Sequence, residues 1–179
     1  MKKFLMMALM LAATTTAFKA SAQMGDDEKS KRPSPPMTAK ETLAGGASVT
    51  IDYGAPSLKG RVMGKDIEPK EGQVWRAGAN EATTIEFSKD VKVEGKALPA
   101  GKYAFFTIKN GAEWTLIFNK EWKTWGAYDY EKKNKDKDAL QVKVKEGKGA
   151  ETEQLKYTIA KNGKVTLNWG TTAVSFTVK

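Results

Sequence analysis

The chain has 179 residues, 30 Lys and Arg against 21 Asp and Glu, a net charge of +9, and neither cysteine nor histidine. Without those two side chains, Ser–His–Asp and Cys–His nucleophilic machinery cannot be built, and zinc loses its usual nitrogen and sulfur ligands. Only all-oxygen metal sites stay open, with paired carboxylates, lysine or tyrosine as the remaining reactive groups.

The first residues, "MKKFLMMALMLAATTTAFKASAQ", read as a secretory signal. Lys2 and Lys3 supply a positive start, Phe4–Ala13 is an apolar run too short to span a bilayer, and Ala20-Ser21-Ala22 predicts cleavage before Gln23. The expected organisation is therefore a signal peptide over 1–22, a flexible lead-in rich in proline and charge over 23–44, and a single β domain over 45–179. The expected location is exported, either periplasmic or extracellular. A lipoprotein is excluded for want of a cysteine, and no transmembrane segment is expected after cleavage. At this size a core can hold by burial alone, without disulfides.

Residues 25–46, "GDDEKSKRPSPPMTAKETLAGG", have no apolar periodicity. The first part reads as a tether, with Pro-Ser-Pro-Pro extended. From Ala47 the dominant period is two. Val49, Ile51 and Tyr53 share one face, as do Thr83, Ile85 and Phe87, then Trp114, Leu116 and Phe118, then Leu140, Val142 and Val144. The pattern continues through Leu155, Tyr157 and Ile159, through Val165, Leu167 and Trp169, and through Val174, Phe176 and Val178. Such alternation marks strands with one face in a core and one in water. "YAFFTI" (103–108) is apolar on both faces and predicts a central strand covered on each side. Asn110-Gly111 and Asn162-Gly163 predict tight turns, and Glu94-Gly95 and Pro99-Ala100-Gly101 mark further reversals. No window carries a sustained helical stripe; "MTAKETLAG" comes nearest. The predicted fold is all-β, an antiparallel β-sandwich, jelly-roll-like or a partly closed barrel, with little helix.

"VTIDYGAPSLKGR", "VWRAGANEATTIEFSKDVKVEGKALPAGKYAFFTI", "EWTLIFNKEW" and "WGAYDY" follow one another across residues 49–130. In this order they resemble a secreted bacterial family common in Bacteroidota, catalogued as domain of unknown function 2911. The resemblance implies an exported, mostly β domain and brings no assigned activity, so no catalytic residue is carried over from it.

No glycine-rich phosphate loop and no EF-hand spacing is present, so neither a cofactor nor a metal is expected. Basic and acidic residues alternate, as in "EKKNKDKD", which describes solvated surface rather than a nucleic-acid patch. Three residues break the lysine habit: of the 30 basic residues only Arg32, Arg61 and Arg76 are arginine. Arg32 falls in the tether. Arg61 and Arg76 sit beside turns, where a rigid five-donor fork suits a carboxylate or several backbone carbonyls. One reading pairs Arg76 or Arg61 with Glu81 or Asp52 to clasp an irregular loop. In the other, Arg61, Arg76, Asn80 and Glu81 line a shallow site for an anionic or carbohydrate ligand. Within "AGANEA", Gly78 is expected to take a backbone conformation closed to other residues. "EWKTWGAYDY" (121–130) adds Trp122 and Trp125 as rim contacts, with Asp129 or Asn119 available to sugar hydroxyls, against a rival reading as core packing.

Three functions stay open at this stage. They are a non-catalytic binding or envelope-structural module, a glycan hydrolase using two of Asp52, Glu81, Glu86 and Asp129, and a protein-partner module offering an edge strand.

Overall fold

A computed structural model describes residues 28–179; the expected signal peptide lies outside the described residues. Each period-two run becomes a strand. In β2 (Ser48–Gly54) the side chains of Val49, Ile51 and Tyr53 are buried, and in β4 (Thr84–Phe87) those of Ile85 and Phe87. β7 (Gly101–Asn110) and β8 (Glu113–Asn119) are buried on both faces. Their inner residues, among them Phe105, Trp114 and Phe118, join the main core. On the other face Ala104, Phe106 and Ile117 form a smaller cluster with Ala82 and Tyr130. Tyr130 comes from three consecutive helical turns, Ala127–Asp129, Tyr130–Asn134 and Lys135–Lys137. These turns bury Tyr130 and Asn134, four residues apart, and lay a lid over the outer face of the central strands.

β1 (Pro36–Thr42), β2, β4, β7, β8, β9 (Asp138–Ile159) and β10 (Lys164–Thr177) follow in spatial order, and β3 (Val74–Trp75) pairs with the far end of β7. All neighbours in this eight-stranded sheet are antiparallel. The sheet curls strongly. β9 pairs first with β8 and later with β10. Its far half returns to the chain after β2, where Leu155 N–H donates to Pro56 and Leu58 N–H to the Glu153 carbonyl, each at 2.9 Å. β10 doubles back about an irregular stretch at 168–172. Val178 N–H thereby reaches the Gly163 carbonyl at 2.8 Å, and the hydroxyls of Thr166 and Ser175 lie 2.9 Å apart. A second, two-stranded sheet, β5 (Val91–Val93) and β6 (Lys96–Leu98), joins the C-terminus through reciprocal bonds between Lys92 and Lys179. The fold is all-β and antiparallel. Trp75, Trp114 and Trp169 are all buried, with Trp75 stacked on Trp169 at 5.8 Å between ring centroids.

The lead-in differs from expectation. Its second half, which includes the run nearest to a helical pattern, is the edge strand β1, in register with β2 from Pro36 opposite Gly54 to Thr42 opposite Ser48. Backbone pairing orders it, since no side chain of β1 is fully buried.

Candidate functional site

The irregular segment between β3 and β4 is wired from below. Ala77 and Asn80 occupy the left-handed region, at φ 50° and 65°. Gly78 does not; it is required because a Cβ there would lie 2.6 Å from Thr83 Oγ1 and 3.1 Å from the Gly54 carbonyl. The buried Ala77 carbonyl accepts from Tyr157 Oη at 2.7 Å and Thr83 Oγ1 at 3.1 Å, and the Gly78 carbonyl from Trp75 Nε1 at 3.1 Å. Both of these inward carbonyls are thus met by buried donors.

Arg76 fastens the segment outward. Its Nη1 donates to the Asn80 carbonyl and, at 2.7 Å, to the Trp125 carbonyl. The guanidinium rests on Gly126, where a Cβ would stand 2.5 Å from Cζ and Nη2. Burial draws the Arg76 pKa down, Glu68 partly offsets this, and the group stays protonated at any working pH. The expected carboxylate partner is not there. Asp52 instead takes Lys102 Nζ at 3.3 Å and Thr38 Oγ1 at 2.8 Å. Arg61 also holds carbonyls, bonding Leu58 through Nε at 2.9 Å and Ser57 through Nη2 at 2.7 Å. It secures its own turn, away from the other candidates.

Glu81 is taken by Arg32, the arginine that the sequence places in the tether. Arg32 Nη1 lies 3.0 and 2.9 Å from the two Glu81 oxygens. Asn80 Nδ2 donates to the Ser34 carbonyl at 2.9 Å, and Ala55 N–H to Pro35 at 2.9 Å. The chain over 32–35 is therefore docked along the crossing. Burial alone would raise the Glu81 carboxyl, but its own backbone N–H, Arg32 and Lys29 outweigh it and hold the group below its ordinary range. The scarcity of arginine pointed to Arg32 as strongly as to the other two.

These contacts frame a groove of about 680 Å³ on the outer face of β1, β2 and β4. Its floor is the cross-strand row Thr38, Asp52, Thr84, set by register. The docked lead-in brings Lys29 and Arg32 to the wall, and the segment after β8 contributes Trp122, Lys123 and Trp125. Trp122 is half-buried against the smaller cluster, with Lys102 and Lys123 Nζ each 5.1 Å from its ring centroid. Trp125 is 59% exposed and Met37 45% exposed. Of the six predicted site residues, Asn80, Glu81, Trp122 and Trp125 line the groove, and Arg76 braces it from behind. Arg61 is elsewhere. From sequence, Asp52 stands only as a clasp partner or a hydrolase carboxylate and Arg32 only in the tether; Lys29, Lys102 and Lys123 are not reached, because register and docking place them and neither is visible as a motif.

Residues 34–178 match the family model described as protein of unknown function (DUF2911). The chain belongs to that family. No curated protein and no solved structure matches the chain.

Within this DUF2911 domain two imagined sugar contacts are otherwise engaged. Asn119 is fully buried, donating to the Asn134 carbonyl at 2.7 Å and to Asp138 at 2.8 Å. Asp129 pairs with Lys133. Tyr130 is core, its hydroxyl donating to Asp138 at 2.9 Å, whereas Tyr128 is exposed. The aromatic cluster thus divides between packing and rim. Among the described residues no group of three or more Asp, Glu, His or Cys is arranged to hold a metal ion. Asp52 and Glu81 both line the groove, but each is ion-paired. A glycosidase general acid needs its pKa raised, and Glu81 is held down. Glu86 points to solvent outside the groove.

Proposed function

We propose that this DUF2911 domain is an exported, non-catalytic binding module whose groove takes a short anionic glycan. The observation that carries this reading is Trp125, an indole 59% exposed at the groove rim while its carbonyl is held by Arg76. A large aromatic left in water on a braced backbone offers a stacking face at little entropic cost. Around it the groove carries four cations, Lys29, Arg32, Lys102 and Lys123, against two carboxylates, Asp52 and Glu81, so its balance favours an anion. A volume of about 680 Å³ suits one or two sugar rings.

The test is a titration of oligogalacturonides and of uncharged cello-oligosaccharides, followed by tryptophan fluorescence. Saturable quenching by the acidic series is expected, weakened about 5–30-fold in Trp125→Ala, the equivalent of a ~1–2 kcal/mol ring contact. No saturable response to either series, or binding unchanged in Trp125→Ala, refutes the reading.

A further inference from the structure

The outer face of β9 and β10 carries a second concavity, of about 390 Å³, that shares no residue with the groove. We propose that it binds a phosphate or sulfate group. Its shape follows from side-chain size. Where β10 doubles back, Ala173 stands opposite Gly147. At Gly149 a Cβ would come within 3.2 Å of the Ala173 Cβ and 3.1 Å of Asn168 Oδ1. Small residues therefore make a floor, and Lys145, Lys148 and Lys164 stand around it.

Positive charge at this hollow is not offset within its own lining. Lys145, Lys148 and Lys164 form no ion pair among the described residues, and no Asp or Glu lines the concavity. The nearest acid in sequence, Glu146, is engaged on the other side of the strand by Trp114 Nε1 at 2.8 Å and Thr172 Oγ1 at 3.3 Å. Three like charges around one hollow raise its potential, and a bound multivalent oxyanion would offset it.

Neutral donors complete the set. Thr166 and Ser175 share a single hydrogen bond across the floor, which leaves one hydroxyl proton to offer. The Asn168 side-chain amide has no hydrogen-bond partner among the described residues and lines the same hollow. Three positive charges with hydroxyl and amide groups and no carboxylate suit a tetrahedral oxyanion better than a neutral polyol, which gains nothing from the charge.

The experiment follows backbone amide NMR shifts of Gly147, Gly149, Ala173 and Ser175 in the full domain. One arm titrates inorganic phosphate and sulfate, and the other measures co-sedimentation with phosphatidylcholine vesicles containing phosphatidic acid. Saturable millimolar shifts localised to these amides are expected. The pair Lys148→Gln with Lys164→Gln is expected to weaken binding about tenfold, and Lys135→Gln, which lines neither concavity, to leave it unchanged. Binding of the free anions without vesicles assigns a soluble ligand, and variant-sensitive vesicle binding assigns a lipid headgroup. The proposal is overturned if neither arm responds, or if the response survives the double substitution.

Discussion

Arg76→Ala tests whether a guanidinium held by carbonyls secures the crossing between β3 and β4. The substitution removes one donor nitrogen from two backbone carbonyls, those of Asn80 and Trp125. A hydrogen bond from a charged donor contributes roughly 1.5–3 kcal/mol. Arg76 is half-buried, so water can reach part of the vacated space and the two losses do not add in full. The expected cost is about 2–3 kcal/mol, below the ~3–5 kcal/mol of a buried pair that strands a partner charge, because the one carboxylate acting on Arg76, Glu68, is exposed to water. With a urea m-value of about 1–3 kcal/mol/M, the unfolding midpoint falls by about 1 M at unchanged slope. Arg76→Lys keeps the charge but loses the planar fork, and is expected to fall between wild type and alanine. Gly126→Ala attacks the same contact from the other side, since its Cβ would meet Cζ at 2.5 Å. The two alanine substitutions are therefore expected to be less than additive, by about 1 kcal/mol. A loss below ~0.5 kcal/mol for Arg76→Ala, or strict additivity with Gly126→Ala, would show that the guanidinium is not seated as described.

Acid is expected to release the docked lead-in. The folded Glu81 pKa lies below its unfolded value, so the Arg32 link contributes above the unfolded value and is lost as pH falls through the folded one, below about pH 4. Glu81 is 50% exposed, which limits the effect to about 1 kcal/mol or less; proteolysis within 28–35, quickening at pH 3 in wild type but pH-independent in Arg32→Ala, is the readout. Alkali is expected to act on Tyr130, whose hydroxyl pKa is raised by burial first and then by its bond to Asp138. Stability is whole below the unfolded tyrosine value of about 10 and declines as pH rises toward the folded one, so Tm is expected to drop above pH 10 and to drop less steeply in Tyr130→Phe.

The buried faces of β2, β4 and the last strands were legible because burial itself writes a period of two into the sequence. The same logic explains what was illegible. β1 buries none of its side chains fully and is held through its backbone, so it leaves no hydrophobic trace and passed for part of a tether. The helical turns that cover Phe106 and Ile117 bury only Tyr130 and Asn134, too few to make a stripe. Arginine scarcity singles out Arg76, but its carbonyl partner at Trp125 and the Arg32–Glu81 pair each span 49 positions. Only the curled sheet brings such distant residues together, and no local spacing encodes that.

Structural clasp and ligand site read as rivals for Arg76, Asn80 and Glu81 in the sequence, but under the proposed function they are one device. Each residue acts by placing another. Arg76 holds the main chain at Trp125, Asn80 holds Ser34, and Glu81 holds Arg32. The groove wall is made largely of what they hold, with Lys29 carried in by the same docked segment. A polar side chain already committed to a carbonyl or an ion pair has little left to offer a ligand. The ligand contacts of the proposed groove therefore fall to the exposed indole and to Lys29 and Lys123, while the conspicuous residues of the motif set how firmly those groups are presented.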